Sequence, residues 1–393
     1  MSFPKNIFSV KKQDNHKIFT ILGIKVKIRS AKSSNNNLKE QNEQLQGQLL
    51  QLQHEQQQLS EQQKKLIELV NTLSEKVANQ NKTNSILNRE KNILNWKVNK
   101  IVDDLKLEDL KEITLQQKFF YNGGEYAFDI EHPKTFNEKI QWLRKYYLLD
   151  NETTDMISDK FLFKNYIKEK LGDGYTIPLL GKWDNAEDID FDVLPDKFVL
   201  KSNCGGDGNQ VYIVKDKTQI NKSKIIRMLR EWIMPWGIPY YYAYTPIFKN
   251  IKPCIIAEEY MPIRENEALE YKMFCFNGKL GFCLVEVDYF GGNPHRAYYD
   301  KDFNELDYKI GGIPVKHLDH KPETYDKMVE IAEFLAKDFP FVRVDFYDVA
   351  GRIYVGEMTF TSGGGFSNFE PVEIDYKLGE MLDITELQKV HNE

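Results

Sequence analysis

Cysteine is scarce in this chain. There are four residues in 393, at Cys204, Cys254, Cys275 and Cys283, and no CxxC pair among them. That spacing excludes a zinc ribbon and a thioredoxin-type motif, and it gives no basis for a disulfide scaffold. Three of the four lie in apolar, strand-like runs, as reduced core thiols of a cytosolic protein do. Long hydrophobic runs are absent: none approaches the roughly 18 apolar residues of a membrane-spanning helix, and no cleavable signal peptide is expected. Positive charge is not in excess. The formal net charge of −6 argues against a general nucleic-acid binder. What the chain does have is 41% hydrophobic and 13% aromatic content, enough for most of it to bury a core, and length for two domains or for one domain and an appendage.

Residues 1–33 form a basic leader. Lys5, Lys11, Lys12, Lys17, Lys25, Lys27, Arg29 and Lys32 stand against one acid, Asp14. Apolar patches at 18–24 and 26–28 leave two readings open, a flexible arm or a small amphipathic unit touching an anionic membrane surface. From 34 to 105 the composition turns to Gln, Glu and Leu. Leucines recur every seven residues at 38, 45, 52, 59, 66 and 73 and resume at 87 and 94. The position four residues after each of these, and after Gln80 where the series is interrupted, carries Asn42, Leu49, Gln56, Gln63, Val70, Val77, Asn84, Lys91 and Val98. This pattern predicts a coiled coil of dimeric or trimeric register. A helix of that length spans on the order of 95 Å, too long to fold back usefully on one domain.

Residues 106–393 carry mixed helix and strand signals. Pro133-Lys134-Thr135-Phe136 opens a helix with Phe136, Ile140, Leu143 and Tyr147 on one face, and Asp159-Lys160 leads into a second, ended by Gly172 and Gly174. Residues 196–214 read as strand, loop, strand: Lys201 ends the first strand, and the loop contains Gly205, Gly206 and Gly208, whose backbone amides can turn toward a phosphate. The lysine precedes the glycines and no GK[ST] follows, so this is not a P-loop. An aromatic segment, Trp236–Tyr244, follows a helix over 219–234. A buried strand then ends in Glu258-Glu259-Tyr260-Met261. A hairpin turns at Asn277-Gly278, with Glu270, Lys272 and Phe274 on one face. His317 and His320 have ligand-like spacing but no adjoining acidic cluster, and read as solvated loop residues.

The densest chemistry lies in residues 341–366. Two strand-like arms flank Asp348-Val-Ala-Gly351 and lead into Ser362-Gly-Gly-Gly365. A turn centred near Val349–Ala350 pairs Arg343 with Glu357, sets Asp345 beside them, and puts Val355, Glu357 and Thr359 on one face. Two carboxylates and a hydroxyl suit a hard divalent cation that completes its shell with phosphate, and the guanidinium suits the phosphate itself. A cross-strand salt bridge on an exposed face is the competing reading.

Taken in order, these parts resemble the ATP-grasp superfamily, and within it the TupA-like branch from bacterial surface-polysaccharide loci. The parts are DK before a helix, a strand-borne lysine before a glycine-rich loop, EEYM, the E-x-K strand, and R-V-D…E-x-T before SGGGF. The resemblance covers roughly 130–385. It implies an α+β ATP-grasp fold, two subdomains clasping ATP and Mg²⁺ between antiparallel sheets, here preceded by the coiled coil. It further implies that Lys160, Lys201 and the 202–208 loop contact phosphates. Glu258 to Met261 would hold adenine and Glu270 the ribose. Lys272 and Arg343 would face the phosphoryl group, and Asp345, Glu357 and Thr359 would bind the metal, although many relatives carry asparagine where Thr359 stands. The implied activity is carboxylate–amine ligation through an acylphosphate. The leader, NIFSVKKQDNHKIFTILGIKVKIR, resembles one found on bacterial enzymes that build surface polysaccharides. The expected substrates are therefore an acidic sugar or polysaccharide precursor and an amine or amino acid. Arg296 and the aromatic segment are the candidate acceptor contacts. The expected location is the cytoplasm, with peripheral contact at the inner membrane face as an option. A glycosyltransferase or sugar kinase of the same pathway, and a scaffold with an inactive domain, are the alternatives.

Overall fold

The structure, a computed structural model, describes the backbone of 8–13, 16–21 and 24–29, scattered positions between Glu90 and Phe120, and then residues 123–205, 210–235, 246–261, 270–287 and 294–392. The chain divides into two units, Met1–Asn84 and Ser85–Glu393. In the first, β1 (Phe8–Gln13), β2 (His16–Ile21) and β3 (Ile24–Arg29) form an antiparallel meander in that order. The leader is thus sheet. Two-residue links at 14–15 and 22–23 separate three six-residue runs, the latter two rich in β-branched residues, which is the spacing of successive hairpins. The heptad region lies outside the described residues, apart from Glu90, Ile93, Leu94 and Lys97, which are helical.

The second unit holds two larger antiparallel sheets, a two-stranded ribbon and the helices that cover them. Three helices come first: α1 (Phe136–Tyr146), α2 (Glu152–Ser158) and α3 (Leu162–Leu171). Thr135 caps α1 with a reciprocal capping box to Glu138, and Gly172 ends α3. The smaller sheet comprises β4 (Leu179–Trp183), β5 (Phe198–Ser202), β6 (Val211–Val214) and β7 (Ile255–Glu259), ordered β4-β7-β5-β6. Helix α4 (Lys222–Trp232) covers one face, where Phe198, Leu200, Ile225, Leu229, Ile255 and Ala257 form a core.

The larger sheet comprises β8 (Glu270–Phe276), β9 (Lys279–Val287), β10 (His295–Tyr299), β12 (Phe341–Val349) and β13 (Arg352–Thr359), ordered β10-β9-β8-β12-β13. Between β10 and β12 the chain passes through β11 (Lys309–Ile310) and α5 (Tyr325–Ala336). Beyond β13 come β14 (Phe369–Glu370), which pairs with β11, then α6 (Glu373–Met381) and α7 (Thr385–Asn392). One face of the larger sheet packs on α5 through Met273, Cys275, Val342, Val344 and Phe346. The other face is divided. At one end Phe274, Phe276, Phe282 and Phe341 meet Phe136 of α1 and Leu378 of α6. At the other end the same face turns polar, and there the candidate site lies. All four cysteines are free and buried, as their apolar surroundings in the sequence imply.

Helices α1 and α6 meet where Lys139 donates to the carbonyls of Gly379 (2.8 Å) and Leu382 (2.7 Å). A Cβ at Gly379 would stand 2.0 Å from the Lys134 carbonyl oxygen, and that backbone has no rotamer through which to yield. Overpacking of this kind costs about 1–3 kcal/mol. Gly379→Ala is expected to lower unfolding stability by at least that amount in a denaturant titration, and an unchanged midpoint would show that the helices part freely.

Candidate active site

Strand alternation builds the smaller sheet's half of the site. Phe198 and Leu200 point to the α4 core, so Lys201 stands on the opposite face. Ile255 and Ala257 do the same for β7, leaving Glu258 beside Lys201. Lys201 Nζ lies 2.5 Å from Glu258 Oε2, and Lys164 Nζ of α3 lies 2.5 Å from Oε1. Lys164 also donates to the Ile177 carbonyl at 2.6 Å. Burial alone would push the Glu258 carboxyl up, but Lys201 and Lys164 overcome it and hold the group at about 2.

The larger sheet's half depends on two departures from a regular hairpin. Ala350 and Gly351 both have positive φ, at 53° and 81°, and form the two-residue turn closed by Val349 opposite Arg352. A bulge then falls at Gly356, because Phe346 opposes Val355 while Asp345 opposes Glu357. The expected pairing of Arg343 with Glu357 is therefore corrected: Arg343 opposes Thr359, and Asp345 opposes Glu357. Val355 joins Phe346 in the core rather than sharing the face of Glu357. Without the bulge, the true turn would set Gly356 and Met358 opposite Asp345 and Arg343 and send both functional side chains into the core. Glycine permits it, since a Cβ at 356 would meet the Tyr347 ring at 2.7 Å.

Arg343 sits at the centre of what results. Its Nε and Nη2 each lie 2.6 Å from the two oxygens of Asp345. Nη2 also donates to Glu357 Oε1 at 2.9 Å and Thr359 Oγ1 at 3.2 Å, and Nη1 donates to Ser362 Oγ at 3.2 Å. The Thr359 hydroxyl donates to Glu357 Oε1 at 2.8 Å. Asp345 is wholly buried, and burial pushes its carboxyl above the usual range, with Arg343 and Lys272 pulling the other way. On its other side Lys272 Nζ lies 3.1 Å from Glu286, 3.3 Å from Glu270 and 3.7 Å from Asp345. Burial would lower Lys272, but Asp345 and Glu270 hold it above the ordinary lysine range. Tyr347 Oη donates to Glu270 at 3.1 Å. Arg296, expected as an acceptor contact, directs its guanidinium to Glu286 (3.0 and 2.6 Å) and the Ile310 carbonyl (2.9 Å).

Lys160 joins the halves. Its Nζ donates to the Gly205 carbonyl at 2.8 Å and lies 3.4 Å from Glu357 Oε2. Asp159 fixes it there: one carboxylate oxygen accepts from Phe161 N (2.8 Å) just before α3, and the other accepts from Asn203 Nδ2 (2.8 Å) in the loop after β5. Between the halves lies a narrow cavity of about 20 Å³, lined by Lys160, Lys164, Lys201, Glu258, Tyr347 and Gly356 among others. A second pocket, of about 330 Å³, shares Lys164 and Ile177 with it.

Lys160, Lys201, Gly205, Glu258, Glu270, Lys272, Arg343, Asp345, Glu357 and Thr359 thus converge on one cleft. Glu259, Tyr260 and Met261 stand beside it: Glu259 is exposed with its amide donating to the Pro178 carbonyl (3.0 Å), and the Tyr260 ring carries the Lys197 ammonium at 5.7 Å. Gly206, Gly208 and the segment 236–244 lie outside the described residues. Sequence reasoning missed Lys164 and Glu286. Lys164 follows Lys160 by one helical turn, a visible signal. Glu286 was hidden by a second bulge, at Gly281, which sets it opposite Glu270.

Among the described residues no group of three His, Cys, Asp or Glu side chains is placed to hold a metal, and His317 lies 3.8 Å from Glu305 alone. The chemistry of the hairpin nonetheless fits a hard cation. Oxygens of Asp345, Glu357 and Thr359 converge on one nitrogen of Arg343, so they already accept a positive charge at a shared point, and Mg²⁺ would take its other ligands from phosphate and water.

The model of the TupA-like ATPgrasp family matches residues 138–383, well over half of the chain, and the chain belongs to that family. No curated protein matches it. Solved structures align with parts of it at low identity. D-alanine–D-alanine ligase from Bacillus anthracis is 19% identical over 52% of this chain and 57% of its own, with a TM-score of 0.32. The ATP-grasp ligase PsnB, in complex with a minimal precursor, Mg and ADP, is 10% identical over 57% of each chain, with a TM-score of 0.29. N5-carboxyaminoimidazole ribonucleotide synthetase from Thermus thermophilus is 12% identical over 57% of this chain and 51% of its own, with a TM-score of 0.31. The shared region thus spans little more than half the length of each of these proteins.

Removing the negative charge of Glu258 leaves two lysines facing each other in a buried setting. Glu258→Gln is expected to cost about 3–5 kcal/mol at neutral pH. The folded carboxyl titrates at about 2, below its unfolded value. The advantage over glutamine is therefore full above about pH 5 and fades as pH falls toward about 2. Paired denaturant titrations from pH 7 to pH 3 check this; a gap that widens on acidification would contradict it.

Proposed function

We propose that this protein is a Mg-ATP-dependent carboxylate–amine ligase. The observation that carries the reading is the convergence of three oxygens and a guanidinium on one sheet face, opposite three lysines across a cleft between two antiparallel sheets. Lys160, Lys164 and Lys201 would hold phosphates. Glu258 to Met261 would line the adenine end and Glu270 would take the ribose hydroxyls. Asp345, Glu357 and Thr359 would hold Mg²⁺, whose contribution is to neutralise charge on the phosphates. Arg343, released from its carboxylates, would face the phosphoryl group in transfer, with Lys272 behind it.

The chemistry follows from what a carboxylate lacks. At neutral pH it is a poor electrophile. Taking the γ-phosphoryl group makes it an acylphosphate, with ADP leaving, and an amine then displaces phosphate to form an amide. Water would destroy that intermediate, so the cleft must close during turnover, and the glycine-rich stretch after Lys201 would serve as its cover. The narrow cavity between the halves holds little more than one water, so nucleotide entry requires them to part.

The leader supports a finer reading, in which the acid belongs to an acidic sugar of a surface polysaccharide or its precursor and the amine is an amino acid or amino sugar. The heptads over 34–105 support self-association, and the basic leader supports work at the inner face of the membrane. The test is ADP release that requires both an acidic sugar and an amine. Asp345→Asn and Glu357→Gln are each expected to lower it on the order of a hundredfold or more, with the fold retained by circular dichroism. Failure of the purified chain to bind nucleotide in the presence of Mg²⁺ would overturn the reading.

A further inference from the structure

Two residues beyond Asp345 on β12, the polar face of the larger sheet continues with Tyr347. Tyr347 opposes Glu270 of β8, Glu270 opposes Glu286 of β9, and Glu286 opposes Arg296 of β10. Cross-strand partners share a face, so these four form one row: a phenol, two carboxylates and a guanidinium. The two carboxylates differ in what they have left to accept. Glu286 is buried and takes three charged donors: Arg296 donates twice to Oε1, at 3.0 and 2.6 Å, and Lys272 Nζ lies 3.1 Å from Oε2. Glu270 is half-buried, and among the described residues two donors reach it. The Tyr347 hydroxyl donates to Oε1 at 3.1 Å, and Lys272 Nζ lies 3.3 Å from Oε2. A carboxylate offers about four acceptor positions, so each oxygen of Glu270 keeps one for a further donor. A pair of neighbouring hydroxyls supplies two such donors. The Tyr347 ring is itself seated by the bulge. It lies over Gly356, where an added Cβ would meet it at 2.7 Å, and it lines the narrow cavity between the halves.

We propose that Tyr347 is a positioning residue that makes the site selective for ribonucleotides, by holding Glu270 oriented toward the ribose hydroxyls. This rests on the ligase reading, in which Glu270 takes those hydroxyls. Lys272 is a poor holder for the purpose. It is shared among Glu286, Glu270 and Asp345, and as a cation it is drawn to phosphate when a nucleotide enters. The phenol is neutral and has no such competing pull. Burial, with Glu270, Glu357 and Asp345 around it, pushes its ionisation well above the usual range, so it stays a donor. Tyr347 therefore keeps its bond to Glu270 while the cations regroup around phosphate, and it leaves the carboxylate its full negative charge for the incoming hydroxyls. Without it, Glu270 would have to be ordered by the ligand, which costs about three- to tenfold in affinity for one immobilised side chain.

The test measures binding of ATP and of dideoxy-ATP, which lacks both ribose hydroxyls, to the full chain by isothermal titration with Mg²⁺ present. The parent is expected to favour ATP by about tenfold or more, the loss of hydroxyl donors to a charged acceptor. Tyr347→Phe keeps the ring and removes only the donor. It is expected to weaken ATP by about three- to tenfold and to leave dideoxy-ATP within about twofold of the parent, so the preference narrows. Glu270→Ala should abolish the preference, and adding Tyr347→Phe to it should change neither affinity by more than about twofold. Equal weakening of both nucleotides by Tyr347→Phe would assign the tyrosine to packing alone and overturns the proposal. So does a parent that binds the two nucleotides equally, or a further loss when Tyr347→Phe is added to Glu270→Ala. Each of those results leaves Mg-ATP binding intact and the ligase reading standing. Absence of Mg-ATP binding by the parent instead removes both, so the two failures are told apart by the parent alone.

Discussion

Two carboxylates opposed on neighbouring strands, one of them wholly buried, repel each other and lose hydration together. Asp345 and Glu357 stand in that position because the Arg343 guanidinium lies between them. The rest of the polar sheet face is arranged to make that central contact stable. Arg296 neutralises Glu286, Glu286 and Glu270 flank Lys272, Lys272 approaches Asp345, and Lys160 closes the series on Glu357. Charge alternates along the whole path. Deleting one member leaves its neighbours uncompensated in a setting of low dielectric, where the loss exceeds what any one contact contributes.

The path exists only because the sheet is irregular in two places. Bulges at Gly281 and Gly356 each shift one strand by a residue, and a one-residue shift moves every side chain beyond it to the other face. The first sets Glu286 opposite Glu270. The second returns Glu357 and Thr359 to the face of Asp345 and Arg343. Both bulges lie at a glycine whose added Cβ would strike an aromatic ring, Phe276 at 2.5 Å and Tyr347 at 2.7 Å. The same side of the sheet that packs phenylalanines against α1 at one end thereby presents charges at the other.

These features explain what was legible beforehand. Local chemistry was: the helix start at Pro133-Lys134-Thr135-Phe136, the Asn277-Gly278 turn, the lysine at the end of a strand, and a hairpin rich in Arg, Asp and Glu. The family could be read from the order of such parts, because each is a short-range signal. Register could not, since a glycine inside a strand announces a bulge only once its partner strand is known. The expected hairpin was wrong in its turn by one residue and in its register by one more, and the two errors kept Glu357 on the correct face for the wrong reason. Lys164 lies one helical turn beyond Lys160, a spacing that equally fits a solvated helix face. The leader's alternation, IKVKIR above all, was visible, but three six-residue strands alone are marginal, and its composition left a flexible arm and an amphipathic unit both open.

The electrostatics of the closed cleft bear on the order in which the proposed ligands would enter. On the smaller sheet one carboxylate answers two lysines, and on the larger sheet carboxylates and cations nearly cancel. A free nucleoside triphosphate would bring far more negative charge than this surface lacks, whereas the same nucleotide carrying a divalent cation comes close to balance. The cation also has a seat that is already electrostatically prepared, since the oxygens around the Arg343 nitrogen surrender one positive charge as they receive another. Exchange of the guanidinium for a metal would keep Asp345 and Glu357 neutralised and would free the arginine for a phosphoryl group. On this argument metal and nucleotide enter as a unit, and the buried carboxylates are never left uncompensated while the cleft is open.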